Sequence, residues 1–126
     1  ADPVAASIPF GHRPMPLILP VLPEGAPEVT RPDPSRVIAG DPVHRTWLTE
    51  EADGLYAGVW ESTPGTWRVV YDEWEYFRLT DGVSVITPDD GAAVTLRAGD
   101  AWVIRPGFTG TWDVVETTRK DFVIRL

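Results

Sequence analysis

Gly65-Thr-Trp-Arg-Val-Val-Tyr-Asp-Glu-Trp-Glu-Tyr-Phe-Arg-Leu-Thr-Asp-Gly82 decides how the rest of the chain is read. Aromatic and β-branched residues fill it, and these suit a pleated, half-buried surface. Asp72, Glu73 and Glu75 interrupt the run, which predicts two strands around a short acidic bend. With side chains alternating along a strand, Glu75, Phe77 and Leu79 share one face, and Tyr76, Arg78 and Thr80 the other. A carboxylate on the face of Phe and Leu is either buried with a partner or functional. Thr80-Asp81-Gly82 reads as a hairpin turn, because glycine accepts the positive φ that tight turns require.

Outward from this stretch the texture is the same. From Thr46 on, β-rich runs alternate with turn signals. The expected strands are 45–48, 55–61, 66–71, 75–79, 83–87, 93–97, 101–105, 110–116 and 119–126. Pro88-Asp89-Asp90-Gly91 and Arg97-Ala98-Gly99-Asp100 read as further antiparallel hairpins. Glu50-Glu51-Ala52-Asp53 is expected to form one helical turn, and no convincing ten-residue helix is found. The fold class is therefore all-β, a double-stranded jelly-roll barrel.

Residues 1–44 differ. They hold most of the thirteen prolines. Proline removes a backbone donor and fixes φ, so this segment is expected to be an extended arm rather than a helix or central strand. Its apolar residues Leu17, Ile18, Leu19, Val21 and Leu22 are expected to pack along a barrel, its own or a partner's. The chain thus divides into an arm, 1–44, and a barrel, 45–126.

At 126 residues, one domain is the default, and a net charge of −8 argues against phosphate backbones and anionic membranes. No apolar run approaches the ~20 residues of a membrane-spanning helix. There is no cysteine, so disulfides and thiolate metal sites are excluded. Compartment is barely legible, and the cytoplasm is the expectation.

The order of signals resembles a cupin. Glu75, six residues and then Gly82 matches part of the first cupin motif. Gly99-Asp100, an apolar run, then Arg105-Pro106-Gly107-Phe108 matches the second. The nearest branch is that of the ureidoglycine aminohydrolase-like and ethanolamine-utilisation-type cupins. It is resembled through Gly58-Val-Trp-Glu-Ser-Thr-Pro-Gly65, Tyr71, Glu75, Arg97-Ala-Gly-Asp100 and Pro106-Gly-Phe-Thr-Gly-Thr-Trp112 with Arg119-Lys120. The resemblance covers about residues 46–126. It implies a barrel with a central site and a homodimer that pairs through a sheet edge and the N-terminal arm.

The resemblance also implies three His and one Glu around a metal, and here the chain departs. The His positions fall on Val69, Tyr71 and Gly110, and Glu75 alone is kept. The only histidines, His12 and His44, lie in the arm. One carboxylate does not hold a transition ion, which needs three or four donors. No metal or other cofactor is expected.

The remaining candidate cavity is lined by Trp60, Trp67, Tyr71, Glu75, Phe77, Trp102, Phe108 and Trp112, with Arg105 and Lys120 as cations. Glu75 and Tyr71 are the candidate acid–base pair, and the others are candidate ligand-binding residues. Each has a plainer reading: Glu75 as a structural pair with Tyr71, Arg105 or Lys120, the tryptophans as core, Arg119-Lys120 as a solvated turn pair. Three functions follow: a metal-free small-molecule binder, possession of a metal-independent isomerase, lyase or hydrolase activity through Glu75 and Tyr71, or a metal-dependent aminohydrolase-like activity with atypical ligands. A small polar metabolite is the expected partner.

Overall fold

The computed structural model describes residues 16–126. Ten segments are ordered into regular structure: β1 (Glu28–Thr30), a 3-10 turn (Pro34–Arg36), β2 (Val37–Gly40), β3 (His44–Ala52), β4 (Leu55–Ser62), β5 (Gly65–Val70), β6 (Trp74–Pro88), β7 (Val94–Arg97), β8 (Ala101–Ile104) and β9 (Thr109–Arg125). The strands form one continuous antiparallel sheet that curls into a jelly-roll half-barrel. The all-β expectation holds among the described residues.

Two long strands organise the sheet. β9 runs between β6 on one side and β4 and β5 on the other. Its first half, 109–114, pairs with β5 and the end of β6. Its second half, 118–125, pairs with β4 and the start of β6. β7 and β8 lie end to end along the other edge of β6. The interior holds Trp67, Phe77, Leu79, Ile86, Leu96, Ile104, Trp112, Val114 and Phe122. Glu75, Phe77 and Leu79 are all buried, as the alternation predicts, and Tyr76, Arg78 and Thr80 face outward.

The hairpin expected at Thr80-Asp81-Gly82 is absent. These residues are a bulged bend inside one 15-residue strand, with register shifts between Leu79 and Ser84. Gly82 does take a positive φ of 88°, but for another reason: a Cβ there would lie 2.1 Å from the Thr117 carbonyl oxygen. Bulges and tight turns recruit glycine alike, and a bulge lets one strand pass from one face of a barrel to the next. The opposing bend at Glu116–Arg119 likewise joins the runs expected at 110–116 and 119–126 into β9. The Arg97–Asp100 turn is also no hairpin. It links β7 to β8, both paired with β6, and anchors on it through Leu79 N–H to the Asp100 carbonyl (3.0 Å) and Gly99 N–H to the Leu79 carbonyl (2.8 Å). The Pro88–Gly91 hairpin is present between β6 and β7.

Glu50-Glu51-Ala52 is strand, not helix. It pairs with Leu55–Ala57 around Asp53-Gly54, both at positive φ (52° and 77°). That is the geometry of the Asp-Gly hairpin turn, which matches strand twist.

The sheet also recruits part of the proline-rich segment. β1 pairs with β3 and β2 with β5, both as outer strands, where missing donors are tolerated. Trp47 Nε1–H donates to the Gly25 carbonyl (3.0 Å) and Thr49 Oγ1–H to the Pro20 carbonyl (3.4 Å), so residues 20–25 run beside β3. Leu17 is 99% exposed and does not pack on this barrel. His12 lies outside the described residues.

Candidate functional site

The face of β6 that carries Glu75 looks into a cavity of about 510 Å³. Its walls come from β3 (His44, Thr46, Leu48), β4 (Tyr56, Trp60), β5 (Trp67, Val69) and β9 (Trp112, Lys120, Phe122, Ile124), with Pro32, Asp33 and Arg36 along one side.

An ion pair forms the polar end. Glu75 is 2% exposed and Lys120 5%. Lys120 Nζ donates to Glu75 Oε2 at 2.7 Å, and the Tyr71 hydroxyl donates to Oε1 at 2.7 Å. Lys120 stands opposite Leu79, four positions along β6 from Glu75, so its side chain runs back past Phe77 to make the bond. Its ammonium sits 4.5 Å from the ring centre of Trp112, 4.7 Å from Trp60 and 4.8 Å from Phe77. Taking both charges from water is costly, and the aromatic faces and the tyrosine hydroxyl offset part of that. Burial, then the adjacent Glu75 charge, pushes the Tyr71 hydroxyl well above its ordinary pKa, so it stays protonated and donating. Tyr71 is fixed at the bend by its backbone, N–H to the Phe108 carbonyl (2.9 Å) and carbonyl to Gly107 N–H (2.7 Å).

An aromatic cluster lies above the pair. Trp67 stacks parallel to Trp112 at 6.4 Å, and Trp60 meets Trp112 edge-on at 5.6 Å. The His44 ring lies 4.7 Å from Trp67 and 5.1 Å from Trp60. Burial, and then the Lys120 charge, lowers the His44 pKa to about 4, so this ring is neutral at pH 7. A base depressed in the folded state takes up its proton first in the unfolded chain. The His44 contribution is therefore fully present above about pH 6.5 and is lost as pH falls toward 4. Urea titrations across that window are expected to show a shallower acid loss for His44→Phe than for the parent; equal slopes would remove His44 as a source. Asp89, held near 2 by its bidentate bond to Arg68, titrates below this window.

Of the residues read from sequence, Glu75, Tyr71, Trp60, Trp67, Trp112 and Lys120 meet at the cavity. Phe77 lies beneath it, fully buried against Lys120 and Trp112. Trp102 and Arg105 do not line it. Among the described residues β8 pairs only with β6 and so sits at a sheet edge, where Trp102 is 46% exposed. Trp102, Arg105 and Phe108 border a separate apolar groove of about 370 Å³. The Phe108 ring meets the site through an edge-on contact with Tyr71 at 6.0 Å. Glu75 pairs with Tyr71 and Lys120, not with Arg105. Arg119-Lys120 is no turn: the two residues alternate across β9, Lys120 inward and Arg119 outward onto Glu61 at 2.7 Å. His44, expected in the arm, is the first residue of β3 and lines the cavity.

Residues 49–122 match the model of the EutQ-like cupin domain. The chain belongs to the EutQ-like cupin family. This cupin superposes on a DUF861-family protein from Pseudomonas syringae with TM-score 0.71 and 27% identity, over 85% of this chain and 44% of that one. It superposes on the EutQ protein of Clostridium difficile with TM-score 0.60 and 22% identity, over 67% of this chain and 63% of the other. A DUF861-family protein from Thermotoga maritima gives TM-score 0.51 and 26% identity over 52% of this chain and 75% of its own. The cupin thus spans less than two thirds of the length of the first two. No curated protein matches it.

The metal that the family resemblance implies does not fit these residues. Among the described residues no three His, Cys, Asp or Glu side chains converge. Glu75 already accepts from Tyr71 and Lys120, and the ammonium of Lys120 sits against it. A Cβ at Gly110 would come 2.3 Å from the Thr87 carbonyl oxygen, so that position has no room for an imidazole. No helix among the described residues is long and apolar enough to cross a membrane.

Proposed function

We propose that this cupin binds a small organic molecule in the aromatic cavity without a transition metal. One observation carries the reading: an apolar, tryptophan-walled space of about 510 Å³ ends on a buried, hydrogen-bonded ion pair. Pockets of this size and lining, with few convergent polar groups, suit small ligands. The Lys120–Glu75–Tyr71 set supplies orientation and polarity. Acid–base catalysis by Glu75 and Tyr71 is the weaker alternative, because each Glu75 oxygen already accepts a hydrogen bond.

The test is a fragment screen read by indole N–H signals of labelled protein, with elemental analysis alongside. Ligands are expected to move the signals of Trp60, Trp67 and Trp112 before those of Trp47, Trp74 and Trp102. A screen that moves only the outer three, or one bound metal per chain, would overturn the proposal.

A homodimer belongs to the same proposal. The segment around Leu17 and Ile18 is apolar and exposed, and apolar surface of that kind favours association. Light scattering on the full chain is expected to give twice 13.9 kDa; a single-chain mass would refute it.

A further inference from the structure

The apolar groove of about 370 Å³ along β7 and β8 shares no lining residue with the cavity. It exists because the sheet stops. Trp102 stands opposite Phe77 in the β6–β8 register, and paired residues of neighbouring strands point to the same face. Phe77 is sealed on that inward face. Trp102 stays half-exposed, because among the described residues no strand lies beyond β8. Val94 and Phe108, both half-buried, share the groove with it, and the nearly closed Ile86 and Ile104 add to the lining. A concave apolar space of this volume is of the size that small molecules fill.

Charge narrows the class. Among the described residues Arg105 is the one charged residue on the lining, and it is exposed. No described carboxylate comes within ion-pair distance of it, although the chain carries 19 acids against 11 Lys and Arg. A guanidinium keeps its proton and presents paired N–H donors that match the two oxygens of a carboxylate. A cationic ligand would meet this charge with repulsion. A phosphate would bring nearly two charges to a single guanidinium. One carboxylate on an apolar body matches both the charge and the walls. A second polypeptide fits less well: β8 has four residues and runs into Pro106, and short edges flanked by proline resist strand addition.

We propose that this groove is a second binding site, for a small monocarboxylate with an apolar tail. The carboxylate pairs with Arg105, and the tail lies against Trp102 and Phe108. The site is separate from the aromatic cavity and does not depend on what the cavity binds.

The test uses one chain length with three head groups: octanoate, octan-1-ol and octylamine, titrated into the labelled full chain. Octanoate is expected to depart from the order of the cavity ligands, moving the Trp102 indole signal ahead of those of Trp60, Trp67 and Trp112. It is expected to bind about threefold to fivefold tighter than octan-1-ol, the upper range for an exposed ion pair, with octylamine weakest. Added salt is expected to reduce that preference. Arg105→Met keeps the apolar stem of an exposed residue and is expected to bind octanoate and octan-1-ol equally. Octan-1-ol binding the parent as tightly as octanoate, or a preference that survives in Arg105→Met, would overturn the proposal. So would a Trp102 signal that moves with protein concentration alone, which would give the groove to a second copy. Octanoate moving Trp60, Trp67 and Trp112 but not Trp102 would overturn the groove site and support the cavity. No movement anywhere would overturn the groove site and leave the cavity to its own screen.

Discussion

Lys120→Met is expected to destabilise this cupin by about 3–5 kcal/mol, the cost of leaving a buried charge without its partner. Methionine keeps the length of the side chain and its apolar stem over Phe77, so the loss isolates the ammonium. Glu75 would then hold its charge at 2% exposure with only the Tyr71 hydroxyl as donor. The double variant Glu75→Gln/Lys120→Met is expected to recover much of the loss, because neither charge remains to be buried. Urea denaturation of the parent, both singles and the double gives the coupling directly. A Lys120→Met loss below about 1 kcal/mol, the range of a surface pair, would mean that the pair is solvated in solution.

The second large effect is at Gly110. Gly110→His would restore an imidazole where cupins that hold a metal carry one by the family resemblance. It is expected to damage the barrel instead of building a site. β9 is held on both sides here, by Val69 and by Pro88, and the new Cβ would press on the Thr87 carbonyl oxygen at 2.3 Å. Overpacking in a filled interior costs about 1–3 kcal/mol. Thermal unfolding with and without added zinc or manganese measures it. A variant as stable as the parent that gains stability with metal would show that the barrel can still open around an ion.

Much of the fold was legible because burial follows a period of two. Glu75, Phe77 and Leu79 announce the inner face of β6 by alternation alone, and that single assignment places the acid inside. The length of β6 was not legible. Thr80-Asp81-Gly82 has the composition of a hairpin, and whether such a triplet reverses the chain or bends it depends on Thr117 and Thr118 across the sheet, far away in sequence. The site divides the same way. Trp60, Trp67 and Trp112 could be named from their strands, but Trp102 on β8 looks equivalent until the sheet is seen to end there. Lys120 was ambiguous for a related reason: two adjacent cations look solvated until the strand sends them to opposite faces. His44 was hidden by the proline-rich residues before it, which made the start of β3 look like arm.

The chain beside β3 has a consequence for how this protein survives at high concentration. A bare outer strand offers a row of backbone groups on which a stray polypeptide can continue the sheet, the first step toward fibrous deposits. Among the described residues only Glu28–Thr30 forms regular ladder pairs there, and beyond them Pro20, Pro23 and Pro27 occupy the approach. Proline has no amide hydrogen to offer an incoming strand. The ring that rules these residues out of the centre of a sheet makes them a terminator at its border.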